Sequence, residues 1–313
     1  MAEHLKPLSI LYNGKSGFHA QNKEDVYEQM MTIFTDYGFE IQVFEFTEQN
    51  SVDEAMQQIL LRHQQATDRG VVVAAGGDGT LNAVAAYLIH TNIPLGILPL
   101  GTFNYVARAY NVPLELIEAA KVIATGQVLP IHVAKLNNLI YLNNASLGLY
   151  PLFIEKREYY NRWFGRFKIH AYTSALDVLF RQYPDLKLEV VVDGEKYPVK
   201  TPLVFFGNNP LQLKEMNLQI AQCAKLGKLA GIVVAKSGKS ALFKLLFQLV
   251  RGEIERTPDV YSFSADHVEI YAKKAKSLRV AVDGELYTET LPLKLTVDQN
   301  ALNLMVPYVV TSV

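Results

Sequence analysis

The chain predicts two dissimilar halves: an α/β N-terminal domain on a parallel sheet, and a β-rich, sandwich-like C-terminal domain. Three observations carry this. Over residues 1–129, short apolar runs alternate with segments of helical spacing, the pattern of βαβ units whose sheet is covered on both faces. After Leu129 the alternation stops, and several apolar runs are separated by hairpin turns. The length, 313 residues, suits about two domains and a large core without staples.

The elements follow in order. Leu8–Tyr12 is an apolar strand that stops at Asn13-Gly14. Val26, Met30, Ile33 and Phe34 give residues 23–37 helical spacing. Glu40–Phe46 alternates as a strand, Val52–Gln65 reads as a helix, and Gly70–Ala75 is a buried strand. Thr80–His90 is a helix, Pro94–Leu98 a strand, and Gly101–Tyr110 turns into a helix. Leu114–Thr125 is a further helix, ended by Gly126. This is a Rossmann-like order, in which ligands gather beyond the strands' carboxyl ends. In the second half, strands are expected over 131–136, 139–143, 187–192, 203–206, 231–235, 267–272, 277–282 and 291–297. Helical segments at 151–180 and 240–251 interrupt them. A last strand, Ala301–Tyr308, could return to the first domain. The boundaries are therefore 1–129, with 299–313 as a candidate completion, and 130–298.

Bulk chemistry excludes several classes. The formal net charge is −1, so the whole molecule does not point to nucleic acid. Cys223 is the only cysteine, which rules out an intrachain disulfide and any cysteine-based metal cluster. No run approaches about 18 uninterrupted apolar residues. The N-terminus lacks a signal-peptide apolar core, and the expected compartment is cytoplasmic.

Val71–Ala75 leads into Gly76-Gly77-Asp78-Gly79-Thr80, and then the helical pattern begins. Backbone amides at a glycine-rich turn before a helix form a nest for anions, and the helix end adds partial positive charge. Phosphate fits that nest. The dinucleotide fingerprint fails because its third glycine is missing. Both P-loop-like endings, Gly14-Lys15-Ser16 and Gly238-Lys239-Ser240, lack the first glycine. A carboxylate beside a phosphate becomes useful when a cation such as Mg²⁺ lies between them. Asp78 can serve that role, or it can hydrogen-bond its own turn.

Gly76–Asn82 resembles the signature of the diacylglycerol kinase catalytic-domain family, which includes bacterial lipid kinases and sphingosine kinases, with NAD kinases as distant relatives. The chain around Asn13, Lys15, Ser16 and Gly17 resembles its first loop, and Pro99–Asn104 its second nucleotide loop. Thr47 falls where the family places a nucleotide-contacting threonine. Asn143–Tyr150 and Phe206–Asn209 match segments of its second domain. The resemblance implies ATP phosphates held by Asn13, Lys15, Ser16, Gly17, Thr47, Gly76, Gly77, Asp78, Gly79, Thr80, Leu81, Asn82, Gly101, Thr102 and Asn104. Mg²⁺ would sit at Asp78. Asp283-Gly284-Glu285 resembles the family's Asp-Gly-Glu motif, which implies Glu285 as proton acceptor and Asp283 as an orienting or polarising group. The same tripeptide occurs at Asp193-Gly194-Glu195, which is read as a plain hairpin.

The chain departs from the family at Ala83, Tyr105, His132, and Leu226 with Ala230, where acidic residues are usual. Those losses weaken the case for a second, structural metal. His132 as a substitute acid–base group is set against a structural histidine. Residues 156–168 interleave basic and aromatic side chains and would suit an anionic lipid surface, or a helix packed on the second domain with snorkelling stems. The expected function is ATP-dependent phosphorylation of a diacylglycerol-like lipid in phospholipid metabolism. The alternatives are a sphingoid lipid kinase, a non-catalytic lipid- or nucleotide-binding regulator, and an NAD-kinase-type enzyme. Expected partners are the lipid substrate and, transiently, the inner membrane surface. A homodimer is left open, and no nucleic acid is expected.

Overall fold

The computed structural model describes residues 5–14, 24–47, 51–151, 185–215, 220–235 and 260–308. The expected helix at 240–251, the stretch 156–168, and Lys15, Ser16 and Gly17 lie outside the described residues, as does the expected helix 151–180 beyond its first residue. The chain divides into two compact units, Met1–Val133 with Gln299–Val313, and Ala134–Asp298.

In the first unit, β1 (Lys6–Asn13), α1 (Glu24–Asp36), β2 (Phe39–Phe46), α2 (Val52–Gln65), β3 (Val71–Gly76), α3 (Asp78–Leu88) and β4 (Leu95–Pro99) alternate as the apolar pattern predicts. Short α4 (Tyr105–Ala109), α5 (Leu116–Thr125) and β5 (Gln127–Leu136) follow. The strands are parallel in the order β2-β1-β3-β4. The second half of β16 (Leu293–Val306) extends the sheet, with Leu304 opposite Leu95. Every residue of β3 and β4 is buried, as expected for strands covered on both faces. The order reverses between β1 and β3, so the loops after those two strands flank the topological switch point.

Two expectations need correction. The helix after β3 starts at Asp78 rather than Thr80, so the glycine loop is strand end and first helical turn with no free loop between. The segments 291–297 and 301–308 form one strand of 14 residues. The polar break that suggested two strands is absorbed locally: Asp298 pairs with Lys135, and the Asn300 N–H donates to His132 Nδ1 at 3.2 Å.

A polar group lies in the core of the first unit. Ser9 and His63 are fully buried. His63 Nδ1 faces the Arg69 carbonyl and so carries the proton, while Nε2 accepts from Ser9 Oγ at 2.9 Å. Arg62 donates to Ser9 Oγ and to the Leu8 and Glu40 carbonyls.

In the second unit, β6 (Leu139–Tyr141) and β7 (Asn144–Gly148) precede β8 (Leu186–Val192), β9 (Glu195–Thr201) and β10 (Leu203–Gly207). Two short helices, α6 (Pro210–Glu215) and α7 (Ala221–Lys225), lead to β11 (Leu229–Val234), β12 (Val260–Ala265), β13 (His267–Tyr271), β14 (Ser277–Val282), β15 (Glu285–Thr290) and the first half of β16. One antiparallel sheet runs β12-β11-β10-β7-β14-β15; in the other, β16, β13, β8 and β9 are neighbours, and β5 pairs with β16 and β6. Their facing sides share one core of Leu147, Val204, Phe206 and Val280 from the first sheet with Leu188, Val190, Val268 and Ile270 from the second. The sequence reading missed β7, β9, β12 and β15. β9, β12 and β15 are sheet-edge strands with three or fewer residues shielded from full exposure, so no clean alternation marks them, while β7 is a central strand of small and polar residues.

The sandwich carries an internal repeat. Leu188, Val190, Val192, Asp193, Gly194, Glu195, Tyr197, Pro202 and Leu203 recur as Leu278, Val280, Val282, Asp283, Gly284, Glu285, Tyr287, Pro292 and Leu293. The pairing recurs as well. Hairpin β8–β9 lies on β13 and then gives β10 to the opposite sheet; hairpin β14–β15 lies on β7 and then gives β16 to the sheet opposite its own.

Burial lowers the His63 pKa from its usual value near 6.5, aided by the Arg62 charge and opposed by the Arg69 carbonyl. The unfolded chain then binds a proton that the folded chain refuses, so the stability held above pH 6.5 falls as the pH drops below it. Urea titrations between pH 7 and 5 should show a steeper loss for the wild type than for His63→Gln. Equal slopes would refute a buried neutral imidazole.

Candidate active site

The four parallel strands end at one edge of the first unit. The register sets Asn13 opposite Phe46 and Gly76 opposite Pro99, so Asn13, Thr47, Gly76–Asn82 and Gly101–Asn104 all follow aligned strand ends. The Gly14 N–H donates to the Phe46 carbonyl at 3.1 Å. A Cβ on Gly14 would stand 2.4 Å from Glu45 Oε1 and 3.4 Å from Thr47 Cγ2, which keeps the first loop against the end of β2.

The glycines after β3 and β4 press on each other. A Cβ on Gly101 would fall 2.5 Å from Gly77 Cα and 2.7 Å from Asn104 Oδ1, and one on Gly77 would fall 3.1 Å from Gly101 Cα. A Cβ on Gly76 would meet Thr80 Oγ1 at 2.5 Å. The Leu100 N–H donates to the Gly76 carbonyl at 3.0 Å. At least two of the glycines are thus required by backbone packing, before any ligand is considered. Gly77 is the N-cap of α3 with extended backbone and no side-chain cap, so no side chain of its own satisfies the first-turn amides.

Asp78 joins the two loops. Its Oδ2 accepts from Tyr105 N and its Oδ1 from Val106 N, both at 3.2 Å. The acid therefore caps α4 on the neighbouring loop; neither N–H belongs to its own turn. Asn104 adopts a left-handed conformation, φ 49°, and closes its loop with two bonds: Gly101 N to its Oδ1 at 3.0 Å, and its Nδ2 to Gly101 O at 2.9 Å. Its amide is committed to loop shape. Leu81 is 4% exposed and serves the core, while Thr102 is exposed.

Asp283-Gly284-Glu285 is a two-residue hairpin with positive φ at its centre, 46° and 88°, and its twin at Asp193 has 47° and 95°. That is the geometry of a type I′ turn. The twins are bonded alike. Asp193 Oδ1 accepts from Asp266 N and His267 N; Asp283 Oδ1 accepts from Asn143 N and Asn144 N. Asp283 adds a third bond, from Leu142 N to Oδ2 at 2.8 Å. Asp283 is therefore a clamp on the turn before β7, and Glu285 is left exposed at the start of β15.

Around the second hairpin the surroundings are buried and rich in amides. Asn143, Asn144, Asn208 and Asn209 are each 6% exposed or less. Asn209 Nδ2 donates to Asn143 Oδ1, Asn144 Nδ2 to Gln212 Oε1, and Asn208 N to the Asn143 carbonyl. The two segments that resemble the family's second domain are thus brought together. Tyr287, missed by the sequence reading, donates its hydroxyl to Glu285 Oε2 at 2.7 Å. Burial first, and then that bond, push its pKa well up. Its signal was readable, since residues two apart on a strand share a face. Tyr141 is fully buried, and burial and then Asp283 push its hydroxyl pKa far up.

The departures from the family settle into structural places. Ala230 is a core residue of β11 beside Phe205 and Ile232, Leu226 is 68% exposed, and His132 accepts the Asn300 N–H. Among the described residues no cluster of three or more His, Cys, Asp or Glu could hold a metal ion. No helix among them is long and apolar enough to cross a membrane.

Comparison with known proteins agrees with this geometry. Residues 7–136 match the family described as diacylglycerol kinase catalytic domain, and residues 157–306 match that of the YegS C-terminal NAD kinase beta sandwich-like domain. A diacylglycerol kinase of Staphylococcus aureus is 31% identical over 228 residues, 71% of this chain and 70% of the relative. An uncharacterized protein of Synechocystis is 26% identical over 279 residues, and the alignment takes in 84% of this chain but only 62% of that longer relative. The crystal structure of a diacylglycerol kinase from Bacillus anthracis superposes with a TM-score of 0.72 at 20% identity, covering 98% of this chain and 99% of the other, a likeness of fold. The chain belongs to the diacylglycerol kinase catalytic-domain family.

Three substitutions test the geometry. Gly101→Ala should destabilise the first unit by about 2 kcal/mol, because the new methyl meets backbone that cannot give way. An unchanged melting temperature would refute the contact. Asp283→Ala should cost on the order of 3 kcal/mol by stranding three amides, and Asp193→Ala clearly less, because its carboxylate is exposed. Equal losses in urea titration would refute the distinction.

Proposed function

We propose that this protein is an ATP-dependent lipid kinase that transfers the γ-phosphoryl group to the hydroxyl of a diacylglycerol-like lipid. One observation carries the reading: two glycine loops locked backbone to backbone after neighbouring strands β3 and β4 of a parallel sheet, under an α3 N-terminus with no side-chain cap. That is a cradle of amides and helix charge suited to a triphosphate. Family membership supports the same reading.

The amides of Asp78, Gly79 and Thr80 hold phosphate oxygens, and Gly101 and Thr102 close the cradle from the second loop. ATP supplies the phosphoryl group. Asp78 would hold Mg²⁺, which would neutralise charge on the phosphates. Asp78 spends two acceptor positions on α4, and a carboxylate has about four. Glu285 is the proton acceptor for the lipid hydroxyl. Tyr287 fixes one of its oxygens, and Asp283 anchors the turn that carries it. Contact with a membrane surface brings the lipid within reach.

ADP release with detergent-dispersed diacylglycerol and Mg²⁺ tests the activity, with a sphingoid base and NAD as competing acceptors. Turnover should be selective for diacylglycerol, and no turnover on any lipid would refute the reading. Glu285→Gln should lower kcat by about 10²–10⁴-fold and leave ATP binding intact. Retained turnover would remove Glu285 from the role of base.

A further inference from the structure

Phe103 stands between Thr102 and Asn104 with 53% of its surface exposed. No other large apolar side chain from residue 62 to 113 is exposed. The ring lies flat against Tyr105, with centroids 5.7 Å apart and planes 7° from parallel. The Arg108 guanidinium lies 5.7 Å from the centre of the same Tyr105 ring. The three side chains form a ladder, Phe103 on Tyr105 and Tyr105 with Arg108. Tyr105 is one of the positions where an acidic residue is usual in the family.

The ladder is fastened to the phosphate cradle on both sides. Before Phe103, Gly101 packs on Gly77 and is tied twice to Asn104. After it, the backbone amides of Tyr105 and Val106 are held by Asp78 of the first loop. Gly101 and Phe103 are two residues apart, so their Cα atoms lie within about 7.6 Å of each other. A nucleotide's ribose bridges such a gap between its phosphates and its base. A membrane wedge would call for further apolar side chains beside Phe103, and its exposed neighbour Thr102 is polar.

We propose that Phe103, backed by Tyr105 and Arg108, is the stacking platform for the base of the bound nucleotide. The inference rests on the nucleotide reading above and adds the residue that grips the base. An aromatic face offers no hydrogen bonds to a base edge, so the platform holds purine triphosphates with little discrimination between adenine and guanine.

Titration calorimetry on the full chain in Mg²⁺ buffer tests this, with ATP, GTP and inorganic tripolyphosphate as ligands. Phe103→Ala should weaken ATP and GTP by about tenfold or more and leave tripolyphosphate unchanged, and Phe103→Trp should restore the loss. Unchanged ATP affinity in Phe103→Ala overturns the inference, as does a parallel loss of ATP and tripolyphosphate, which would make the ring a loop-shaping residue only. Loss of binding to vesicles of anionic lipid with ATP affinity intact overturns it in favour of a membrane contact. Failure of the wild type to bind any of the three ligands overturns the nucleotide reading itself, and the platform with it.

Discussion

The first unit depends on a contact between two pieces of bare backbone. Gly77 and Gly101 follow neighbouring parallel strands, and their Cα atoms sit where any side chain would collide. The contact sets how closely the two loops approach. That spacing lets Asp78 reach the amides that open α4, and it leaves α3 starting directly at the sheet edge. Removing the closeness would separate the acid from α4 and the amides of one loop from those of the other. The glycines are thus structural first, and their openness to an anion follows from the same packing.

The second unit reaches its site by a different route. One hairpin design is used twice, with the same turn, the same carboxylate clamp and the same spacing from Asp to Glu to Tyr. The copies diverge in their surroundings. The first faces Asp266, His267 and solvent. The second is set among buried asparagines, and its tyrosine bonds its glutamate. Asp283 is accordingly a residue of architecture shared with its twin, and Glu285 with Tyr287 is where the chemistry of the second copy differs.

The α/β half was legible because its inner strands are apolar, β2 alternates and its helices are amphipathic, so period and length identify each element. The helix after β3 was read two residues late, since Asp78 and Gly79 look like loop until Gly77 is seen to cap them. In the sandwich, β8, β10, β13 and β14 could be read from their apolar runs. β9 and β15 could not, because edge strands such as Glu195–Thr201 face water on most residues. The glycine loops and the Asp-Gly-Glu turn stood out as motifs. What Asp78 binds depends on a contact between residues far apart in the chain, which no local pattern encodes, whereas the Tyr287–Glu285 bond follows from their two-residue spacing on one strand. The repeat was present in the letters at Asp193 and Asp283, but only the strand pairing shows that it extends through both sheets.

That pairing has a consequence for how the molecule is made. Each hairpin rests on a strand from the other half of the repeat, β8–β9 on β13 and β14–β15 on β7. Neither half can close its own sheet, so the early copy keeps an open edge until the strands of the later half have been made. Assembly is therefore late, long-range and slow, and the nascent form is the stage most exposed to mispairing with another molecule of the same kind.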